Sequence, residues 1–221
     1  DTYFGRANQG GAFDVNEQAM IDFRTRLPHV PYLIPFPAGL QLYGEIGSED
    51  KFLVSNRAAI LAGIYIPQLF SGRSMDLRIE YADTDLSRRI PSDHPAGVWY
   101  NHGLYTSGMR YRGFPLGHHM GSDGIDLFIR TTRYLTENVR LGGSLNYQER
   151  GRGLPVHERK HEAATDLTWW ISHTLQLSVG YTYQRIKHPG QVTSINPFVE
   201  TFPAGVTSTN HFFWTNLAFE F

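Results

Sequence analysis

HFFWTNLAFEF, residues His211 to Phe221, alternates its two faces without a break. His211, Phe213, Thr215, Leu217, Phe219 and Phe221 fall on one side of an extended chain, and Phe212, Trp214, Asn216, Ala218 and Glu220 on the other. Successive side chains of a strand point to opposite faces, so a strand with lipid on one side and a polar interior on the other leaves this period-2 pattern. The pattern predicts a membrane-spanning strand.

The same alternation recurs upstream. Ile21, Phe23, Thr25 and Leu27 oppose Asp22, Arg24 and Arg26, and Leu40, Leu42 and Ile46 oppose Gln41, Tyr43 and Glu45. Leu77, Ile79 and Tyr81 oppose Arg78 and Glu80; Ile125, Leu127 and Ile129 oppose Asp126 and Arg130. Val139, Leu141, Leu145 and Tyr147 oppose Arg140, Ser144, Asn146 and Gln148, while Thr165, Leu167, Trp169 and Ile171 oppose Asp166, Thr168 and Trp170. Leu175, Leu177, Val179, Tyr181 and Tyr183 oppose Gln176, Ser178, Thr182 and Gln184, and Ala58 to Ile66 reads as a more apolar strand. Such runs last about ten residues, longer than the roughly five or six usual in soluble sheets and close to the span of a tilted membrane strand. An all-β, antiparallel transmembrane β-barrel is expected, one domain over residues 1–221 with roughly ten strands. The final strand, closing on an aromatic residue, resembles the last strand of bacterial outer-membrane barrels, where it also serves as the assembly signal.

Hydrophobic residues make up 41% of the chain and mean hydropathy is -0.34, values a soluble domain would share. A barrel accounts for them because only alternate residues face lipid. Spanning helices are excluded: the longest apolar run, Ala58 to Ile66, is about half the roughly 20 residues they need. The 22 glycines and 12 prolines also weaken helix interiors. With no signal peptide at Asp1, the sequence is expected to begin after processing or partway along a longer chain. The absence of cysteine rules out disulfides and thiolate metal sites. A net charge of -1 leaves contact with any charged polymer to local patches.

Barrels of this kind have short periplasmic turns and longer extracellular loops. With the final strand running inward, His188 to Thr209, Gly151 to Lys160 and Gly117 to Gly124 lie outside, whereas Ser172-His173-Thr174 and Thr136-Glu137-Asn138 are periplasmic. Upstream the reading divides. Trp99 to Phe114 is one long strand or a hairpin turning at Ser107-Gly108, and the choice reverses every earlier orientation. The inward face carries Asp22, Arg24, Arg26, Glu45, Arg78, Glu80, Asp126, Arg130, Arg140, Asp166 and Glu220. Mixed signs at this density pair into a cross-strand lumen network; the alternative is a polar permeation path.

Trp99 to Gly124, WYNHGLYTSGMRYRGFPLGHHMGSDG, is dense in aromatics and glycines and holds His102, Arg110, Arg112, His118 and His119. With GLQLYGEIGSED, RIEYADT and the carboxyl-terminal strand, it resembles the Wzi-type capsule assembly family over about Phe13 to Phe221. The resemblance implies a barrel in the bacterial outer membrane acting as a surface lectin, one that binds capsular or extracellular polysaccharide and helps retain or assemble it. It also implies a molecule roughly twice as long with about 18 strands, of which this chain is the carboxyl-terminal half. A missing amino-terminal half, a partner chain, or closure of a smaller barrel must then complete the wall, because unpaired strand edges in lipid cannot be hydrated.

Read from the residues alone, carbohydrate recognition needs aromatic or guanidinium surfaces with hydrogen-bonding side chains, and an acidic polymer also needs cations. Candidate polysaccharide-binding groups are Arg110 and Arg112 on one strand face, His118 and His119, and the basic loop residues Arg150, Arg152, Arg159 and Lys160. The competing readings pair Arg110 and Arg112 with lumen carboxylates, and leave the loop solvated or against the phosphates of lipopolysaccharide. His118-His119 with Asp123 suggests zinc, but adjacent histidines of an extended segment point to opposite sides, and no metal or cofactor is expected. Tyr134, Trp169, Tyr183, Trp214 and Phe221 suit an interfacial girdle. No G-x-S-x-G turn, phosphate loop, dinucleotide fingerprint or nucleic-acid module is present, and no carboxylate pair sits in a glycan-hydrolysis motif. A non-enzyme is expected, with polysaccharide and outer-membrane lipid and lipopolysaccharide as partners and no nucleic acid. The competing function is a porin or channel passing small polar solutes through the charged lumen; a soluble sandwich is the third.

Overall fold

The computed structural model describes residues 18–30, 33–49, 58–71, 74–85, 99–100, 110–111, 114–115, 117–152, 157–188 and 205–219. The strands are β1 (Gln18–Leu27), β2 (Leu40–Glu49), β3 (Ala59–Ile66), β4 (Met75–Asp83), β5 (Arg110–Tyr111), β6 (Phe114–Pro115), β7 (Ile125–Thr136), β8 (Val139–Arg150), β9 (Glu158–Trp170), β10 (Leu175–Lys187) and β11 (Thr207–Phe219). Nine of them form one antiparallel sheet in the order β1-β2-β3-β4-β7-β8-β9-β10-β11, and β5 and β6 pair apart from it. Among the described residues the main sheet has nine strands, close to the roughly ten expected, with β4 paired directly to β7 and the β5–β6 ribbon outside it. Ser107-Gly108 lies outside the described residues. That pairing settles the upstream direction. The longest connections, 84–124 and 188–206, leave the same end of the sheet as 50–58 and 151–157, and the tightest, 137–138 and 171–174, leave the other.

Register sorts the side chains. A single rung crosses all nine strands as Arg24, Tyr43, Gly63, Glu80, Phe128, Asn146, Glu162, Gln184 and Asn210. On this face Asp126, Thr168 and Gln148 are buried. On the opposite face Leu141 is 40% exposed, Leu145 59%, Leu217 56% and Phe219 59%. Apolar groups outward and polar groups buried inward is the inverse of a soluble fold and the arrangement of a wall between lipid and a polar lumen. Two aromatics depart from the expected girdle. Tyr134 lies inward, stacked on Trp170 at 6.1 Å and 18°, and Trp214 lies inward across Gly180, where a Cβ would come within 2.3 Å of its ring. Trp169 and Tyr183 face outward on the rungs of Leu177 and Ala163, and Phe221 lies outside the described residues.

The sheet is open, with β1 and β11 at its edges. Nine antiparallel strands leave the first and last running in the same direction, so joining them would create a parallel seam, whereas bacterial single-chain barrels close with an even number of antiparallel strands. The strands β9, β10 and β11 each have 13 residues, more than the roughly 9–11 needed to cross a bilayer. Glu158, Arg159 and Lys160, expected in a loop, are the first residues of β9.

Candidate functional site

Inward-facing glycines let polar side chains cross from strand to strand. Tyr43 lies across Gly63 and donates from its hydroxyl to Glu80 Oε1 at 2.7 Å, with the Arg78 guanidinium 5.8 Å from the Tyr43 ring centre. Asp166 reaches over Gly142 to Arg130 Nη2 at 2.8 Å. Arg140 sits 5.4 Å from the Trp170 ring centre and donates to Thr168 at 3.5 Å. These inner-face contacts are hydrogen bonds and cation–π contacts as much as ion pairs. Register explains why: Asp22 stands opposite Glu45 and Arg78 opposite Arg130, like against like. Among the described residues Arg24, Arg26 and Glu45 make no ion pair.

At the long-connection end, chain from 99–100 and 117–124 folds down onto the inner face. Trp99, 6% exposed, packs over Gly47, where a Cβ would lie 3.4 Å from its ring. Thr84 donates to Gly121 O at 2.8 Å, the Tyr100 hydroxyl accepts from His118 N at 3.1 Å, and Ser122 donates to Trp99 O. Gly121 at φ +72° and Asp123 at φ +52° reverse the chain here; aspartate is among the few non-glycine residues that adopt this region readily. His118 and His119 therefore do not diverge. Their rings lie 4.4 Å apart at 31°, and His119 Nε2 is 2.7 Å from Asp126 Oδ2, with Asn146 also donating to Asp126. The carboxylate that joins the histidines is Asp126 instead of Asp123. The three residues hold ligand atoms within 4.8 Å of one another, and imidazole with carboxylate is the donor chemistry of a zinc or similar divalent site. Burial, and next the neighbouring His119, hold the His118 imidazole below its ordinary pKa against the pull of Asp126 and Glu80. Below the loop is a cleft of about 340 Å³ lined by Leu61, Glu80, Ala82, His118, His119, Asp126, Phe128 and Asn146.

The basic residues of the next connection are all engaged by their own chain. Glu149 accepts Arg152 Nε at 3.1 Å and Arg159 Nε at 3.2 Å, has His157 Nε2 at 3.8 Å, and accepts a hydrogen bond from the Tyr147 hydroxyl. Arg152 also reaches Asp85 at 3.3 Å, tying the β8–β9 connection to the end of β4. Arg150 donates to His119 O at 2.9 Å and lies 3.8 Å from Glu158; Lys160 lies 3.5 Å from Glu162. Period 2 also divides the set, because Arg150 and Lys160 share the inner face with Gln148 and Glu162, while Arg159 faces outward with Glu149. Arg110 lies in the separate β5–β6 ribbon, and Arg112 lies outside the described residues. Sequence reasoning missed Glu149 and Asp85 as the anions that organise the rim; their position at strand ends beside arginines was the available signal.

The family model for capsule assembly protein Wzi matches residues 1–196 of the 221. The chain belongs to the capsule assembly protein Wzi family. A solved structure of Wzi from Escherichia coli, an outer-membrane protein involved in group 1 capsule assembly and a carbohydrate-binding β-barrel, is similar with TM-score 0.62 and 22% identity. The match covers 78% of this chain and 39% of that one, so the Wzi-family chain described here spans about two fifths of the solved barrel and shares its fold. A second solved structure, the loop L8 deletion mutant of OmpT, an outer-membrane protein of Vibrio cholerae, matches at TM-score 0.40 and 12% identity over 76% of this chain and 45% of that one, too distant to bear on the fold. No curated protein matches the sequence.

Proposed function

We propose that this protein is a surface lectin of the bacterial outer membrane, binding capsular or extracellular polysaccharide at the long-connection end of its barrel and helping to retain or assemble it. Membership of the Wzi family over residues 1–196 carries this reading, and the carbohydrate-binding barrel of the E. coli relative supports it. The longer connections at this end support its facing outside the cell. There the described chain offers side chains of Arg150, 39% exposed, Arg159, 48%, and His119, 58%. Arg110, Arg112 and His118, with Arg152 and Lys160, complete the candidate contacts. Each guanidinium of the β8–β9 connection already rests on a carboxylate, so an acidic sugar exchanges one anion for another and affinity comes from repetition along the polymer. This is binding chemistry and not catalysis. The 99–100 and 117–124 segments lie over part of the inner face, which supports a lectin over a porin. The nine strands of the described residues belong in a larger barrel, and an odd number of further strands beside them would restore an antiparallel seam.

Neutralising Arg150, Arg152, Arg159 and Lys160 together in the complete protein should lower the capsule retained by cells while the heat-modifiable barrel still assembles. Unchanged retention at normal expression removes this connection from the site. Steady single-channel conductance in planar bilayers would favour the porin instead.

A further inference from the structure

The outward wall carries a second polar feature that the lumen does not use and that shares only Arg159 with the candidate polysaccharide contacts. At the long-connection end, two consecutive outward rungs read Glu149, Arg159, Lys187, Thr207 and Tyr147, His161, Arg185, Thr209. Arg159, His161, Arg185 and Lys187 are exposed, and Arg185 and Lys187 form no ion pair among the described residues. Glu149, the one acid of these rungs on β8–β11, is occupied by Arg152 and Arg159, and Asp83 stands two strands further along its rung, on β4. Immediately below lies an apolar groove of about 410 Å³ on the same face, floored by the small residues Gly143, Ala163 and Thr165 and walled by Leu145, Tyr181 and Tyr183. The Thr165 hydroxyl is turned onto Gly142 O at 3.0 Å, which leaves its methyl to the groove. Rungs are about 7 Å apart along the strands, so the cations stand roughly 7–14 Å above the groove floor, at the upper end of strands longer than the bilayer requires.

We infer that β8, β9 and β10 form a binding seat for a phosphorylated, acylated glycolipid of the outer leaflet: an acyl chain lies in the Gly143–Ala163–Thr165 groove and phosphate sits on Arg159, His161, Arg185 and Lys187. The groove alone would take any chain, and the cations alone any anion. Their stacking along one face selects an amphiphile whose charge lies above its chains, with guanidinium forks matched to phosphate oxygens. Lipid A, the phosphorylated anchor of lipopolysaccharide, has this chemistry. Through His161, Arg185 and Lys187 the seat is separate from the polysaccharide contacts, and it rests on the proposed outward facing of the long-connection end.

Native mass spectrometry of the complete protein, extracted from outer membranes in mild detergent, tests it. The wild type should retain a lipid of acylated, phosphorylated disaccharide mass. Arg185→Glu with Lys187→Glu should lower that adduct at least tenfold. Gly143→Leu should lower it similarly by filling the groove; a Cβ at Gly143 meets only Ala164 O at 3.9 Å, so the sheet accommodates it, and heat-modifiability checks that the barrel has formed. An adduct undiminished in either variant overturns the inference. So does retention of a glycerophospholipid, which would also place this end of the barrel in the periplasm. Loss of bound capsule with lipid unchanged in the charge variant would assign the cations to polysaccharide and overturn it as well.

Discussion

Gly142→Ala should destabilise the barrel only where Asp166 is present. Asp166 passes over residue 142 to reach Arg130 at 2.8 Å, and a Cβ at 142 would stand 2.6 and 2.7 Å from the two Asp166 carboxylate oxygens and 2.8 Å from Arg130 Nη2. These are ends of flexible side chains, so the pair separates while the strands hold. A hydrogen bond to a charged group contributes about 1.5–3 kcal/mol; with Asp166 13% and Arg130 32% exposed, this one falls near the lower figure, about 1.5 kcal/mol. Alanine also removes the entropic cost of glycine in a strand, roughly 0.5–1 kcal/mol in its favour. The net loss in the wild type is therefore about 0.5–1 kcal/mol. In an Asp166→Ala background the same change should gain about 0.5–1 kcal/mol. The difference, about 1.5 kcal/mol, is the coupling read by a double-mutant cycle, measured by urea unfolding of the complete protein in lipid vesicles with tryptophan fluorescence. Equal effects of Gly142→Ala in both backgrounds would refute the bridging geometry.

Tyr43→Phe keeps the ring on Gly63 but removes its hydrogen bond to the Glu80 carboxylate, and should cost about 1.5–3 kcal/mol in the same assay. His118 binds its proton more weakly when the 117–124 segment is docked than when it is free. Its contribution to docking is therefore complete above the ordinary histidine pKa of about 6.5 and lost as pH falls through the lowered value. Limited proteolysis within 117–124 should accordingly be faster at acid than at neutral pH, and His118→Gln should flatten that difference; an unaltered pH profile in the variant would contradict it. Asp126→Asn weakens the tie to His119 at 2.7 Å and should speed the same cleavage at neutral pH.

The wall of the barrel was legible because lipid on one side and polar lumen on the other impose the same period on every strand. Leu141, Leu217 and Phe219 face outward and Asp126, Asp166 and Thr168 inward as their alternation dictates. What the alternation could not carry is the path of the chain between β4 and β7. That stretch has no period, and whether His118 and His119 converge depends on the turn at Gly121 and Asp123. The rim was half legible. Arg159 and Lys160 look like one basic loop because charge marks loops, yet β9 extends above the apolar zone, begins at Glu158 and sends the two to opposite faces. Tyr134 and Trp214 misled for a similar reason: an aromatic near a strand end suits a girdle by composition, while its parity sends it inward onto Trp170 or Gly180.

Binding of isolated capsular polysaccharide to the complete protein in lipid nanodiscs most directly tests whether this barrel is a surface lectin. Saturable binding that weakens when Arg150 and Arg159 are neutralised is the expected result. No detectable association at any polymer concentration, with the protein correctly inserted, would contradict it.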